Sequence, residues 1–270
     1  RASETGLLAT SSGDTRAAIT ADAGTRIRIA ATRTRGGQMT ARNGNEIAEA
    51  AWAEFQAVEA AGGMVAALAA GHVTEVLADL NAKRSKLVAS RKLPVTGVSE
   101  FPNPTEAPVT DRTARPEAPV YAGLTWTRNS EVFEQLRDAV AGTDAKVFLA
   151  CLGTRRDFGG REGFASNYFH IAGLATPNVE SADIDEVVKA WQASGTPVAC
   201  LCSSAKVYGS IGVEAAKALK DAGAARVLLA GNIKELGNVD TAGLIDGTIA
   251  LGMDVVAGLK DVLNTLGVNK

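Results

Sequence analysis

The carboxyl-terminal half of the chain alternates short apolar runs with helical patterns, and this alternation constrains the fold more than any other feature. Such an alternation predicts parallel strands that are buried by helices on both faces. The apolar runs lie at residues 146–151, near Leu174, and at residues 197–202, 226–230 and 247–251. We therefore predict an α/β fold with a flavodoxin-like, doubly wound, five-stranded parallel sheet. Its ligand crevice would lie beyond the carboxyl ends of the strands.

Composition narrows the class of protein. Of the 270 residues, 46% are hydrophobic and 21% are charged, which is typical of a globular chain. A net charge of -2 argues against nucleic-acid binding through bulk positive charge. No apolar run approaches the ~18 residues that span a membrane, and no secretory signal opens the chain. Cys151, Cys200 and Cys202 match no metal-ligand spacing, so we expect reduced thiols and a cytoplasmic protein.

Residues 1–44 differ from the rest of the chain. They hold seven arginines, no lysine and three acidic residues, a charge of +4, and no aromatic residue. So little apolar surface predicts a basic, disordered arm, either a solvated tail or a segment for an acidic partner. The predicted organisation is this arm, a helical region over residues 45–101, a proline-rich linker over 102–128 and the α/β domain over 129–270.

The helical region is predicted from apolar residues at three- and four-residue steps between residues 45 and 93. Asn43 or Asn45 would cap its first helix, and Pro94 would end the last one. A short apolar strand is predicted at residues 93–98, before the linker.

Three residues are predicted to cap helices in the final domain. Ser130 precedes a short helical pattern, and Asp254 precedes the last one. Asp183 is followed after three residues by Glu186, which is the spacing of a capping box.

Three loops after predicted strands could approach a ligand. They lie at residues 153–160, from Ser203 to Ala205, and at Gly231 and Asn232. Glycines let a backbone approach a ligand closely, and a following helix start attracts an anion. The loops match neither the Walker pattern nor the dinucleotide fingerprint, and tight strand-to-helix turns explain them equally well.

Other candidates for chemistry are weak. His72 and His170 have no ligand or acid partner at a useful spacing. Cys200 and Cys202 point to one face of a strand, which is typical of buried, inert thiols. Ser203 lacks the glycines of a nucleophile elbow. We therefore predict no catalytic residue and no metal site.

Two stretches of the amino-terminal half resemble a known family. Thr-Gly-Val-Ser-Glu-Phe-Pro-Asn at residues 96–103 closely resembles the end of the barrel domain in the small subunit of methylmalonyl-CoA mutase. Residues 45–64 resemble the helix that precedes it. A (β/α)₈ barrel needs about 250 residues, so the chain would hold only the end of an incomplete TIM barrel. The helices of this remnant would pack on each other, on the α/β domain or on a partner.

The α/β domain resembles the cobalamin-binding-type domain of the same subunit. The resemblance is carried by Phe-Leu-Ala-Cys-Leu-Gly at residues 148–153, by Phe-Ala-Ser-Asn at 164–167 and by residues 195–231. Catalytic members of this family use adenosylcobalamin to interconvert (R)-methylmalonyl-CoA and succinyl-CoA. Their Asp-x-His-x-x-Gly motif supplies the histidine that binds cobalt from below, and the aspartate orients that histidine.

The positions that match this motif are occupied differently here. Arg155 replaces the aspartate, Asp157 replaces the histidine, and Gly160 agrees with the pattern. Arginine has no lone pair for cobalt, and a carboxylate is a hard ligand that suits this role poorly.

Two further loops depart from the family pattern. The family's Ser-x-Leu becomes Ser203 and Ala205, and its Gly-Gly becomes Gly231 and Asn232. The Asn232 side chain would crowd the place of the cofactor's nucleotide tail. We therefore expect this chain to bind no cobalamin.

The resemblance implies a non-catalytic small subunit, or a fragment of one, in a heterodimeric mutase. The large subunit would be its partner and would hold adenosylcobalamin, the substrate and the catalytic site. The alternative is a stand-alone flavodoxin-like module that binds cobalamin or a nucleotide-like ligand. In that alternative Arg155, Arg156 and Arg161 would hold an anionic group.

Overall fold

The computed structural model describes residues 5–9, 15–22, 26–33, 41–106, 127–237 and 239–268. These residues divide into two compact units. The first extends to Ala78 and the second begins at Asp79.

The first unit opens with an antiparallel sheet of three strands in the order β1-β2-β3. The strands are β1 (Thr5–Ala9), β2 (Thr15–Asp22) and β3 (Arg26–Arg33). They differ from the disordered arm that the composition predicts for residues 1–44. In β3, Ile27 and Ile29 alternate with arginines, a period of two that favours a strand although the segment is poor in apolar residues.

Helices follow the antiparallel sheet. They are α1 (Ala41–Ala60), α2 (Met64–Ala69) and α3 (His72–Ala89), which continues into the second unit. Because α1 begins at Ala41, Asn43 and Asn45 lie inside the helix and do not cap it. Gly62 and Gly63 separate α1 from α2, and both adopt positive φ angles (93° and 90°) that suit glycine.

The segment after α3 is a turn rather than the strand predicted for residues 93–98. The backbone amide of Val95 donates to Ser99 Oγ (2.9 Å), and Gly97 between them has a φ of 78°. This local closure competes with an extended conformation, so the strand prediction is wrong. Of the predicted linker, residues 107–126 lie outside the described residues.

The second unit contains the predicted parallel sheet. Its five described strands lie in the order β5-β4-β6-β7-β8, and every pair is parallel. This is the doubly wound, flavodoxin-like order, which confirms the predicted fold class. In chain order the elements are α4 (Glu131–Val140), β4 (Phe148–Leu152), α5 (Arg155–His170), β5 (Asn178–Ser181), α6 (Ile184–Ser194), β6 (Val198–Cys202), α7 (Ala205–Val207), a π-helical turn (Tyr208–Gly212), α8 (Val213–Asp221), β7 (Arg226–Ala230), a 3₁₀ turn (Ile233–Leu236), β8 (Gly247–Ile249) and α9 (Val255–Thr265).

The sheet separates two hydrophobic clusters. Leu149 and Cys151 of β4 pack into the cluster on one face, while Phe148, Ala150 and Leu152 pack into the other. Burial on both faces explains why the strand reads as a continuous apolar run. The edge strand β5 follows a different rule: it is only partly buried and begins at Asn178, four residues after the predicted Leu174.

Two of the three predicted caps of this unit form, but the reciprocal bond of a capping box at Asp183 does not, because Glu186 Oε2 accepts from Ser181 Oγ instead (2.6 Å). Asp183 accepts hydrogen bonds from the amides of Asp185 (2.9 Å) and Glu186 (3.4 Å) at the start of α6. Asp254 accepts one from the Ala257 amide (2.9 Å) at the start of α9. The Ser130 side chain makes no capping bond with α4, so that prediction is wrong.

Candidate functional site

A crevice of about 700 Å³ lies at the carboxyl ends of the parallel strands. The crevice is bounded by the start of α5, the loop before α7, the loop after β7 and the segment after β8. Its lining residues are Arg156, Asp157, Gly160, Arg161, Phe164, Ser204, Ala205, Gly231, Asn232, Glu235, Ile249, Ala250 and Leu251. A groove of about 510 Å³ lies elsewhere in this unit, between α3, α4 and α9. The crevice is the candidate site because ligands of doubly wound sheets bind beyond the strand ends.

The crevice brings together five of the seven site positions taken from the sequence. Asp157, Gly160, Ala205, Gly231 and Asn232 all line it. Arg155 and Ser203 do not.

Asp157 forms part of the cap of α5. Its Oδ2 atom accepts hydrogen bonds from the backbone amide (3.1 Å) and the hydroxyl (2.6 Å) of Thr154. These bonds lower the pKa of the Asp157 carboxyl below its ordinary value, with smaller contributions from Lys206 and Arg156. Asp157 therefore belongs to the first turn of a helix.

Arg155 and Ser203 bind neighbouring protein atoms. The Arg155 guanidinium forms an ion pair with Glu180 on β5 (Nη1 to Oε1, 2.9 Å). Ser203 is fully buried, and its hydroxyl donates to the carbonyl oxygen of Leu152 (2.6 Å), which ties the ends of β6 and β4 together.

Tyr208 fills the space between the ends of β6 and β7. Its side chain is fully buried, and its hydroxyl accepts a hydrogen bond from the Ser203 amide (2.8 Å). The same hydroxyl lies within donating distance of the carbonyl oxygens of Leu201 (2.8 Å) and Ala230 (3.0 Å). Burial raises the pKa of the phenol, so Tyr208 is a neutral structural group here.

Asn232 lies at the crevice, and its predicted crowding of a nucleotide tail remains a prediction. Its side chain is exposed, and its Oδ1 atom accepts from the Lys234 amide (3.0 Å) at the start of the 3₁₀ turn. The space beside Gly231 is taken by Arg161, since a Cβ atom built on Gly231 would lie 1.9 Å from Arg161 Nη1.

Two residues of this region were not identified from the sequence. Tyr208 lies in a π-helical turn, which no hydrophobic periodicity in the sequence indicates. Glu235 binds Arg161, and its only sequence signal is the three-residue spacing from Asn232, which is that of a capping box.

The remaining candidates are structural. His170 Nε2 lies 3.1 Å from Thr176 Oγ1, and burial lowers the pKa of the imidazole. The three cysteines are free and fully buried, and Cys202 together with burial raises the pKa of the Cys151 thiol. Over the described ranges, no group of three or more His, Cys, Asp or Glu residues could hold a metal ion.

Among the helices that the structure describes, none combines the length and the apolar character that crossing a bilayer requires.

The chain is similar to known proteins over most of its length. The family model of methylmalonyl-CoA mutase matches residues 38–145. The methylmalonyl-CoA mutase small subunit of Propionibacterium freudenreichii subsp. shermanii is 53% identical over 228 residues. That of Streptomyces virginiae is 41% identical over 231 residues, and the probable small subunit of Mycobacterium bovis is 33% identical over 232 residues. Each alignment covers 83% of this chain.

The predicted resemblance to the methylmalonyl-CoA mutase small subunit is confirmed. The chain spans about a third of the length of these relatives, since the alignments cover 36%, 36% and 35% of them. The match of the family model ends before β4, so it covers the part that resembles the end of a barrel.

The residues of the crevice do not fit a cobalt ion held from below by an imidazole. No histidine lines the crevice in the part of the chain that the structure describes. The Asp157 carboxylate is an oxygen donor already bonded to Thr154, and oxygen donors suit harder ions.

Proposed function

We propose that this chain is part of a non-catalytic small subunit of a heterodimeric, adenosylcobalamin-dependent methylmalonyl-CoA mutase in the cytoplasm. In this proposal the large subunit binds adenosylcobalamin and interconverts (R)-methylmalonyl-CoA and succinyl-CoA. The small subunit supports the large one and contributes no catalytic residue.

The observation that carries the proposal is the position of Asp157. If this position were to hold the cobalt of the cofactor, its side chain would have to offer a free donor atom. The Asp157 carboxylate is bonded back to Thr154, at 2.6 Å and 3.1 Å, in the first turn of α5. This geometry supports a structural domain that keeps the fold of a cobalamin domain without its cobalt ligand.

The same crevice offers little to the alternative of an anionic ligand. Two of the three arginines considered for that role are paired, Arg155 with Glu180 and Arg161 with Glu235. The Asp157 carboxylate already places a negative charge at the start of α5 and accepts a hydrogen bond from the Thr154 amide. Of these three arginines, only Arg156 has no ion-pair partner among the described residues.

A partner is supported by apolar side chains on α3. Leu80 and Leu87 remain exposed in the described structure, at 53% and 44% of their surface. Leu80 and Leu87 are seven residues apart and therefore lie on one face of α3, which favours a face that another polypeptide covers.

Co-expression with a large mutase subunit tests the proposal. An affinity tag on this chain should recover both polypeptides in equal amounts, together with mutase activity. Asp157→Ala should leave the cobalamin content and the turnover of the recovered complex unchanged, because Asp157 touches neither cofactor nor substrate in this proposal. Loss of cobalamin in that variant would contradict the proposal, and so would recovery of this chain without any large subunit.

A further inference from the structure

The Arg161 side chain reaches from α5 to the loop that follows β7. Its Nη1 atom donates to the carbonyl oxygen of Ala230 (2.6 Å). Its Nη2 atom lies 3.0 Å and 2.9 Å from the two carboxylate oxygens of Glu235. One guanidinium thus holds both the end of β7 and the 3₁₀ turn behind it.

Glu235 has a second role in the same loop. Its Oε1 atom also accepts from the backbone amide of Asn232 (3.1 Å), so the carboxylate links Arg161 to the start of the 3₁₀ turn. The side chains of Arg161 and Glu235 are only 34% and 20% exposed. A partly buried, multiply bonded ion pair is screened less by solvent than a surface pair.

The backbone is shaped to receive the guanidinium. Gly231 is buried and adopts a φ of 144°, a conformation that suits glycine. A Cβ atom at this position would lie 1.9 Å from Arg161 Nη1 and 3.2 Å from Glu235 Oε1. The guanidinium and the carboxylate therefore pack directly against the Gly231 backbone.

We propose that Arg161 and Glu235 form a latch, which holds the loop of residues 231–237 on the strand ends and closes this end of the crevice. A molecule that reaches the Gly231 backbone must first displace the Arg161 guanidinium. The latch works within one compact unit and requires neither a partner subunit nor a bound ligand.

A second ion pair on α5 supplies a matched control. Arg155 and Glu180 are joined by a single contact of 2.9 Å, and their side chains are 73% and 46% exposed. This pair involves the edge strand β5 and no atom of the loop of residues 231–237. A change of ionic strength or of helix charge would affect both pairs, whereas loss of the latch would affect only one loop.

Amide hydrogen exchange on the whole chain tests the latch. Glu235→Gln keeps an oxygen for the Asn232 amide and removes the charge that binds Arg161. Arg161→Met keeps a long side chain and removes every donor. Each change should speed exchange in residues 232–237 by about tenfold or more, while β4 and β6 stay protected. The effect of the double variant on exchange in this loop, expressed as a free energy of opening, should be smaller than the sum of the effects of the two single variants.

Arg155→Gln should leave exchange in residues 232–237 within about twofold of the parent chain. The latch is refuted if Glu235→Gln also stays within twofold. It is equally refuted if Arg155→Gln speeds exchange in the loop as much as Glu235→Gln does. If Arg161→Met fails to fold, the comparison of loop exchange rates between Glu235→Gln and Arg155→Gln still tests the latch, because both variants keep α5 intact.

Discussion

Removing the Tyr208 hydroxyl should destabilise the parallel-sheet unit far more than an ordinary Tyr→Phe change. In Tyr208→Phe the buried amide of Ser203 loses the oxygen that now accepts from it at 2.8 Å. The ring itself keeps its place, so no cavity larger than one oxygen atom forms. The carbonyl oxygen of Ala230 keeps a donor, because Arg161 Nη1 also bonds to it.

The size of the effect follows from these contacts. An orphaned, buried amide costs about 1–3 kcal/mol, and loss of the phenol's own donated bond costs a further 0.5–1.5 kcal/mol or so. We therefore expect Tyr208→Phe to lower the free energy of unfolding by about 2–4 kcal/mol.

Urea unfolding followed by circular dichroism measures this change, with Tyr168→Phe as the control. Tyr168 is equally buried, but its hydroxyl makes no hydrogen bond with another described residue. Its loss should cost less than about 1 kcal/mol. Equal losses in the two variants would refute the reasoning, because burial and not the bond to Ser203 would then set the cost.

Three further predictions concern the same unit. The pKa of the Asp157 carboxyl is lowered in the folded chain, so its bond to Thr154 stabilises the fold fully above the unfolded pKa of about 3.9. This stabilisation is lost as the pH falls through the lowered folded pKa. The stability gap between the parent and Asp157→Ala, measured in urea, should therefore be wider at pH 6 than at pH 3; a constant gap would contradict this. Gly231→Ala should cost roughly 1–3 kcal/mol in thermal unfolding, because φ is 144° and the latch leaves no room, whereas Gly160→Ala, with nothing within 4 Å, should be neutral or stabilising. Asp183→Ala should cost about 1 kcal/mol in the same assay through loss of the α6 cap, and no change would refute that role.

The central strands could be predicted because burial on both faces of the sheet requires continuous apolar runs in the sequence. β4, β6 and β7 are short apolar runs between turn residues, and the structure places them within one or two residues of the prediction. β5 was harder to locate because an edge strand is covered on one side only, and Asn-Val-Glu-Ser carries little apolar signal.

Local signals failed where two structures compete for the same residues. Val95 and Thr96 favour a strand by propensity, but the side chain of Ser99 closes a turn over them. The three amino-terminal strands carry too few apolar residues for composition to reveal them. The predicted domain boundaries remain a prediction, and the unit boundary at Asp79 falls inside α3.

The candidate site was only half visible from sequence. The loops could be predicted because topology brings the strand ends together, and five of the seven proposed positions do line one crevice. The contacts that fill it could not be predicted. Arg161 and Glu235 lie 74 residues apart, and only the folded sheet places them within hydrogen-bonding distance.

Native mass spectrometry of the complex with a large mutase subunit tests the central claim most directly, because it weighs partner and cofactor together. The proposal predicts one copy of each polypeptide with a single adenosylcobalamin, which stays with the large subunit when the complex is dissociated. An adenosylcobalamin carried by this chain after dissociation would contradict the claim.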